Sequence, residues 1–276
     1  MANKTILVCL NEISRLPQLL KAARHLGVKF NAHIRGLYVI PGVIFYPSAG
    51  YGAGPDIYDG NRVWFQDKQE QARQDFETAM KADSIPFDFQ LVDSSNPSII
   101  NDVLQNGYDA DLILASNLPR DENDTVESDF IERLVLSAGR PVLVLPGKGE
   151  VKLDFSSIVV AWNDGRESAR AVFDALPFLQ KAKRARVITV DSQVRGALDG
   201  ATLAESLDRH GIKIEIASIG SDGAPTGEVL LRAARDENAG LLVLGAYGHS
   251  RLTEMVFGGA TRYVLKNQDL PVLMSH

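Results

Sequence analysis

The chain has 276 residues, of which 45% are hydrophobic and 23% are charged, and its formal net charge is −6 at pH 7. This length fits two domains, and the composition excludes a disordered chain, a collagen-like chain and, with one cysteine, a disulfide scaffold. The acidic balance argues against a nucleic-acid or anionic-membrane surface, no apolar run reaches the roughly 18 residues of a membrane span, and the N-terminus lacks a signal-peptide layout, so we expect a cytoplasmic protein.

Short runs of Val, Ile and Leu, bounded by polar or turn residues, are typical of strands buried on both faces of a parallel sheet. In the first half such runs begin near residues 4, 32, 86, 111 and 141, and in the second half near residues 156, 185, 212, 240 and 271. Apolar residues at helical spacing lie between these runs, for example Leu16, Leu19, Leu20, Ala23 and Leu26. Each half is therefore predicted to be a doubly wound α/β domain with five parallel strands.

The two halves repeat the same unit. Residues 5–11 resemble residues 157–163, and residues 110–116 resemble residues 239–245. The first pair of segments is 152 residues apart and the second pair is 129 residues apart, so the first half holds about 23 additional residues. The sequence thus predicts two tandem domains of one fold, with an insertion in the first.

The additional residues correspond to segment 41–62, which contains five Gly, three Pro and three Tyr. This composition predicts no regular element. We expect the segment to cover the first half as a lid or plug, and a mobile surface loop is the alternative. A short linker rich in Gly and Lys follows the fifth strand, and it places the predicted domains at residues 1–148 and 149–276.

A glycine-rich loop follows the fourth strand of the second half. Gly245 lets a ligand approach the backbone closely, and Gly248 is predicted to take a positive φ that turns consecutive N–H groups inward. Gly258 and Gly259 open a helix whose first N–H groups have no internal partners, which suits an anion. The alternative is that these glycines serve only as turn and helix-start residues. The spacing is neither a Walker A loop nor the Gly-x-Gly-x-x-Gly dinucleotide motif.

These residues resemble the motif of the nucleotide-binding universal stress proteins, Gly-x2-Gly-x9-Gly-Ser/Thr. Gly245, Gly248 and Gly258 match its glycines, whereas Gly259 stands at the Ser/Thr position. Thr261, two residues later, is expected to supply a hydroxyl instead. The resemblance covers both halves and implies a Rossmann-like fold of the adenine nucleotide alpha-hydrolase type, with ATP, with or without Mg²⁺, as the ligand.

The resemblance also implies contacts from the first two strands of the second half. The family has a carboxylate at the end of strand 1, where this chain has Asn163 followed by Asp164. Val190 matches the residue whose backbone reads the adenine edge, and Ala161 and Leu244 would flank the base. For the three apolar residues core packing is the alternative, and for Asp164 it is a loop or helix N-cap role.

Two polar residues beyond Gly248, His249 and Arg251, are placed to face phosphates, and Arg suits this charge well. An exposed polar position without ligand contact is the alternative for His249. The predicted site comprises Ala161, Asn163, Asp164, Val190, Leu244, Gly245, Gly248, His249, Arg251, Gly258, Gly259, Ala260 and Thr261.

The first half departs from this motif. Ser116 stands at the position of Gly245, and Pro119, which has no N–H to donate, stands at the position of Gly248. Carboxylates that would repel a triphosphate follow at Asp121, Glu122, Asp124, Glu127 and Asp129. We therefore expect one ATP per chain, bound in the second half.

Three classes of function remain open, and the first is favoured. It is an ATP-binding stress protein with a regulatory or protective role. The second is a weak ATP-hydrolysing enzyme, which is disfavoured because residues 163–168 read Asn-Asp-Gly-Arg-Glu-Ser rather than the Ser-Gly-Gly-x-Asp-Ser loop of related enzymes. The third is a binding module for an apolar ligand or client protein, through the aromatic residues of segment 41–62.

The resemblance also implies an assembly. In the family the last strands of two domains commonly pair edge to edge, which covers an open sheet edge. We expect residues 142–145 to pair with residues 272–274 within the chain and to form an intrachain pseudo-dimer. A homodimer of the chain is a further possibility.

Overall fold

The strands form where the sequence repeat places them. The structure, a computed structural model, describes residues 3–46, 56–58, 60–118, 126–191, 201–248 and 259–276. All ten predicted strands begin within three residues of their expected starts. The strands are β1 (Thr5–Cys9), β2 (His33–Ile40), β3 (Ile44–Tyr46), β4 (Asp56–Tyr58), β5 (Phe87–Asp93), β6 (Leu112–Ser116), β7 (Val142–Leu145), β8 (Ser157–Ala161), β9 (Arg184–Val190), β10 (Glu215–Ile219), β11 (Leu241–Gly245) and β12 (Val272–Ser275).

Helices alternate with these strands, as a doubly wound fold requires. A short 3₁₀ turn at Ile13–Arg15 precedes the first of them. The helices are α1 (Leu16–Phe30), α2 (Gly60–Ala82), α3 (Ile100–Gly107), α4 (Phe130–Ser137), α5 (Arg166–Asp174), α6 (Leu176–Leu179), α7 (Ala201–Arg209), α8 (Thr226–Asp236) and α9 (Gly259–Asn267). Within the described ranges, none of them combines the length and the apolar character that crossing a bilayer demands.

Residues 3–134 form one compact unit around parallel strands in the order β6-β1-β2-β5. In the middle of this sheet Leu7 of β1 lies opposite Arg35 of β2 on one side and Ile113 of β6 on the other. Every residue of β6, and every residue of β1 after its first, is buried. The Val- and Leu-rich sequence of these strands therefore reflects burial on both faces.

Residues 135–276 form a second compact unit with strands in the order β10-β9-β8-β11-β12-β7. Its first five strands are parallel, as predicted for this half. The sixth strand, β7, runs antiparallel to β12, with Leu143 opposite Leu273. The predicted pairing of the two last strands of the repeat is therefore confirmed.

The two compact units divide at a different place from the sequence repeat. In sequence β7 ends the first half, and the repeat places the boundary after residue 148. By its contacts β7 belongs with residues 135–276, because it pairs with β12. The compact units divide between Leu134 and Val135, and the repeat boundary after residue 148 stays a prediction.

Part of the segment 41–62 is regular. Strands β3 and β4 pair antiparallel, and the last residues of the segment form the start of α2. The prediction that the segment contains no regular element was wrong for these residues, because Ile, Phe and Tyr favour strands even between Gly and Pro. Residues 47–55 and 59 lie outside the described residues, so the lid stays a prediction.

The pairing of β7 with β12 predicts the effect of a substitution in the full chain. Leu143 lies opposite Leu273 and is fully buried. Leu143→Ala removes buried apolar contacts and leaves a cavity, so it should lower the free energy of unfolding by about 2–5 kcal/mol. Urea denaturation measures this.

The control is Val28→Ala in α1, where the side chain is 62% exposed. It should change the free energy of unfolding by well under about 1 kcal/mol. Equal losses in the two variants would contradict the assignment of Leu143 to the core.

Candidate functional site

A cavity of about 410 Å³ opens at the carboxyl ends of β8, β9 and β11, within the unit of residues 135–276. Ligands bind at this edge in open parallel sheets. The described residues that line the cavity are all uncharged. They are Ala161, Trp162, Asn163, Ser168, Ile188, Val190, Pro225, Thr226, Leu230, Leu244, Gly245, Tyr247, Gly248, Gly259, Ala260 and Thr261.

Most of the predicted site lies in this wall, and Asp164 does not. Asp164 has a left-handed φ of 57° and belongs to the turn after β8, which fits the alternative loop role. His249, Arg251 and Gly258 lie outside the described residues.

Sequence reasoning missed several wall residues. Ile188 follows from the two-residue period of a strand whose Val190 faces the cavity. Thr226 and Pro225 begin α8, which has no match to the glycine motif, so only the fold brings them to the site. The remaining missed residues are Trp162, Ser168, Leu230 and Tyr247.

The backbone of Val190 faces the gap beyond β8. The N–H of Trp162 donates to the carbonyl of Ile188 at 2.9 Å, and the N–H of Asp191 donates to the carbonyl of Ile219 at 3.0 Å. Successive residues of a strand direct their N–H and C=O groups to opposite neighbours. The N–H and C=O of Val190 therefore point toward the β8 side, where that strand has already ended. This places an adjacent donor and acceptor at the cavity.

Two apolar side chains flank this edge. Ala161 at the end of β8 is 7% exposed, and Leu244 near the end of β11 is 6% exposed. Both also belong to the wall of the cavity. A flat apolar ring could lie between such residues, so core packing and a binding role are compatible at these positions.

The loop after β8 is held by its own polar side chains. Asn163 Oδ1 accepts the N–H of Gly165 at 3.1 Å. The Ser168 hydroxyl accepts the same N–H at 3.2 Å and donates to the Gly165 carbonyl at 2.9 Å. These bonds satisfy the N–H and the carbonyl of Gly165, the residue before α5, and hold the loop against the start of the helix.

Gly245 is required by packing. A Cβ at this position would lie 2.4 Å from the backbone of Glu167 and 2.4 Å from that of Ser168, at the start of α5. No real Cβ is tolerated at such a distance, and backbone atoms cannot rotate away. The alternative of a structural glycine therefore holds here, whether or not a ligand also approaches.

The left-handed residue of the turn after β11 is Tyr247, with φ 58°. Gly248 does not have a positive φ, so the predicted reason for this glycine was wrong. The turn is fixed instead by hydrogen bonds. Tyr247 N–H donates to Thr261 Oγ1 at 3.2 Å, and Ala246 N–H donates to the Ser275 carbonyl at 2.8 Å.

The first residues of α9 complete the wall. Gly259, Ala260 and Thr261 all line the cavity, and the first turn of α9 carries no acidic residue. A Cβ at Gly259 would meet no atom of the described residues within 4 Å. The Thr261 hydroxyl accepts the N–H of Tyr247, so its expected role toward a ligand is shared with a role in the turn.

One ionised carboxylate lies behind the turn. A Cβ on Gly248 would lie 2.9 Å from Glu167 Oε2. Burial raises the pKa of Glu167, but its own backbone N–H, Arg166 and His276 outweigh burial and hold the pKa below its usual value. Arg166 Nη2 donates to Glu167 Oε1 at 2.9 Å, so the carboxylate has a cationic partner on the side away from Gly248.

Comparison with known proteins identifies relatives of this chain. The sequence model of the Universal stress protein family matches residues 154–276, which lie in the C-terminal half. The Universal stress protein Slr1230 of Synechocystis sp. is 26% identical to the chain over 148 residues, a match that covers 52% of this chain and 49% of that protein. This chain therefore aligns with about half the length of that curated relative.

The fold of a universal stress protein extends to both halves of the chain. A universal stress protein from Archaeoglobus fulgidus DSM 4304 is 15% identical with a TM-score of 0.74, and the match covers 100% of this chain and 99% of that one. A putative universal stress protein from Pseudomonas aeruginosa UCBPP-PA14 is 16% identical with a TM-score of 0.63, covering 99% and 93%. The expected fold of two tandem domains is thereby confirmed.

The two glycines of the turn predict different stability effects. Gly245→Ala forces backbone atoms of α5 to move, which should lower the free energy of unfolding by about 1–3 kcal/mol. Gly248→Ala meets only the end of the Glu167 side chain, which can rotate, so the change should be small. Urea denaturation of both variants measures the difference, and an equal loss in both would contradict this assignment.

Proposed function

We propose that this chain is an adenine-nucleotide-binding universal stress protein with a regulatory or protective role in stress response. Its nucleotide site is the cavity of the C-terminal half. The observation that carries the proposal is the backbone edge of Val190, meaning its N–H and C=O, which are directed into the gap beyond β8. Val190 lines a cavity together with the start of α9, and the described residues of its lining are uncharged. A nucleobase needs a backbone donor and acceptor such as those of Val190, and an anionic group needs a helix start such as that of α9.

The base is assigned to the β8–β9 side of the cavity. The N–H and C=O of Val190 match the ring nitrogen and the exocyclic amine of adenine, which are an adjacent acceptor and donor. Ala161 and Leu244 lie near the two faces of the ring. Binding here would satisfy two backbone groups that otherwise face the gap beyond β8.

The phosphates are assigned to the α9 side. The N–H groups of a helix's first turn have no partner within the helix, so those of α9, with the backbone of the turn at Gly248, are proposed as donors to phosphate oxygens. His249 and Arg251 are proposed as further phosphate contacts. The negative charge of the phosphates would meet no carboxylate in the described wall at the α9 side. Glu167, behind the turn, is paired with Arg166.

Triphosphate with magnesium is the proposed physiological form. The described residues contain no cluster of His, Cys, Asp or Glu that could hold a metal ion. Magnesium would therefore be held by the phosphates and water rather than by those side chains.

Nucleotide binding is tested by a charge placed at the start of α9. Ala260→Glu puts a carboxylate in the wall where phosphates are assigned, and it should weaken ATP binding by about tenfold or more. The helix itself should tolerate the change, because a negative charge near a helix N-terminus is favourable. Isothermal titration calorimetry measures affinity and stoichiometry, for which one ATP per chain is expected.

The matched control is Ala201→Glu, which places the same charge at the first residue of α7, outside the cavity wall. It should bind ATP as the unmodified chain does. Absence of ATP and AMP binding to the unmodified chain, or equal weakening in both variants, would overturn the proposed site.

A further inference from the structure

Asn11 is a buried polar residue directly beyond β1, in the unit of residues 3–134. It is 2% exposed, and its carboxamide makes two hydrogen bonds to one backbone residue. The N–H of Val39 donates to Asn11 Oδ1 at 3.0 Å, and Asn11 Nδ2 donates to the Val39 carbonyl at 2.7 Å. One planar amide therefore satisfies both the donor and the acceptor of a strand residue.

Val39 in the first unit and Val190 in the second occupy the same place in the fold. Each lies two residues beyond the last registered pair between the first strand of its unit and the next. Those pairs are Cys9–Leu37 and Ala161–Ile188. Asn11 and Asn163 likewise stand two residues beyond the last registered residue of their strands. The same strand geometry thus leaves the same backbone edge in both units.

The two asparagines use this position differently. Asn163 is exposed, and its Oδ1 accepts the N–H of Gly165 in its own loop. Asp164, which lies between Asn163 and Gly165, has a left-handed φ of 57°, and this turns the chain so that the bond from Gly165 to Asn163 can form. In the first unit Glu12 follows with φ −83°, and the Asn11 side chain instead reaches the neighbouring strand. The loop conformation decides where the carboxamide points.

We propose that Asn11 is a built-in ligand of the N-terminal unit. Its carboxamide fills the backbone edge at Val39, which corresponds to the edge at Val190 that is left open for a ligand. An amide presents an acceptor beside a donor in one plane, and so does the adenine edge formed by N1 and the 6-amino group. The edge at Val190 is therefore suited to a planar ligand that presents an acceptor beside a donor, as an amide does. In this respect the inference rests on the proposed function.

This arrangement closes the N-terminal unit to nucleobases. A base could reach Val39 only by displacing a buried carboxamide whose two hydrogen bonds are intramolecular. The reason is independent of Pro119 and the acidic residues after it, which concern the phosphate end. Of these two edges, that of Val39 is occupied by the chain's own Asn11, whereas that of Val190 lies in the wall of the cavity.

Removal of the carboxamide should create a site for a free amide. In the full chain, Asn11→Gly leaves two buried backbone groups unpaired and should lower Tm by roughly 4–8 °C. Acetamide, which carries the deleted group, should restore part of this loss. The unmodified chain and Asn163→Gly serve as controls, and acetamide should not raise their Tm. An equal acetamide effect in all three proteins, or no loss of Tm in Asn11→Gly, would overturn the inference.

A second variant decides the matter if Asn11→Gly does not fold. Asn11→Asp keeps an acceptor for the Val39 N–H but turns a carboxylate oxygen toward the Val39 carbonyl. Burial and this contact raise the pKa of the new carboxyl above its unfolded value, so its protonated form is favoured in the folded chain. Its Tm relative to the unmodified chain should therefore rise as the pH falls from about 7 to about 5. Asn163→Asp, which is exposed, should show no such relative rise, and equal pH profiles would count against the inference.

ATP titration separates this inference from the proposed function. If the unmodified chain binds no adenine nucleotide while acetamide still rescues Asn11→Gly, the proposed function fails and the built-in ligand stands. If the unmodified chain binds two ATP molecules with Asn11 in place, the built-in ligand fails although nucleotide binding holds.

Discussion

Parallel strands of unequal length leave backbone groups that need partners, and both units of this protein are organised around that constraint. In each unit the first strand ends before the second, so a valine of the second strand directs its N–H and C=O into a gap. A buried donor and acceptor left without partners cost about as much as two lost hydrogen bonds. The N-terminal unit meets the need with Asn11, whereas the C-terminal unit leaves the edge of Val190 at a cavity.

The glycine-rich loop serves the fold as well as the site. Gly245 is fixed by the backbone of α5, which crosses so close to the end of β11 that no side chain fits. This contact also brings Ser168 to the cavity wall and places the paired charges of Glu167 and Arg166 behind Gly248. Packing of one helix on one strand end thus sets both the shape of the cavity and the charge around it.

The pairing of β7 with β12 joins the last strands of the two halves of the repeat. The β7 strand has the sequence of a fifth strand of the first half, and it pairs antiparallel with β12 in the unit of residues 135–276. This pairing covers an edge of β12 that would otherwise be open to other chains. Leu143 and Leu273, which lie opposite each other there, are fully buried.

The sequence alone determined the tandem α/β fold, the strand positions and most of the cavity wall, because buried parallel strands carry continuous apolar runs and glycines punctuate their ends. It did not determine the hairpin of β3 and β4, the contribution of α8 to the wall, or the conformation of Gly248. Those depend on contacts between residues distant in the chain. Asn11 and Asn163 show the limit most clearly. They are the same residue at the same repeat position, and only the tertiary structure decides which one turns its carboxamide to the neighbouring strand, because the following loop sets the direction of the side chain.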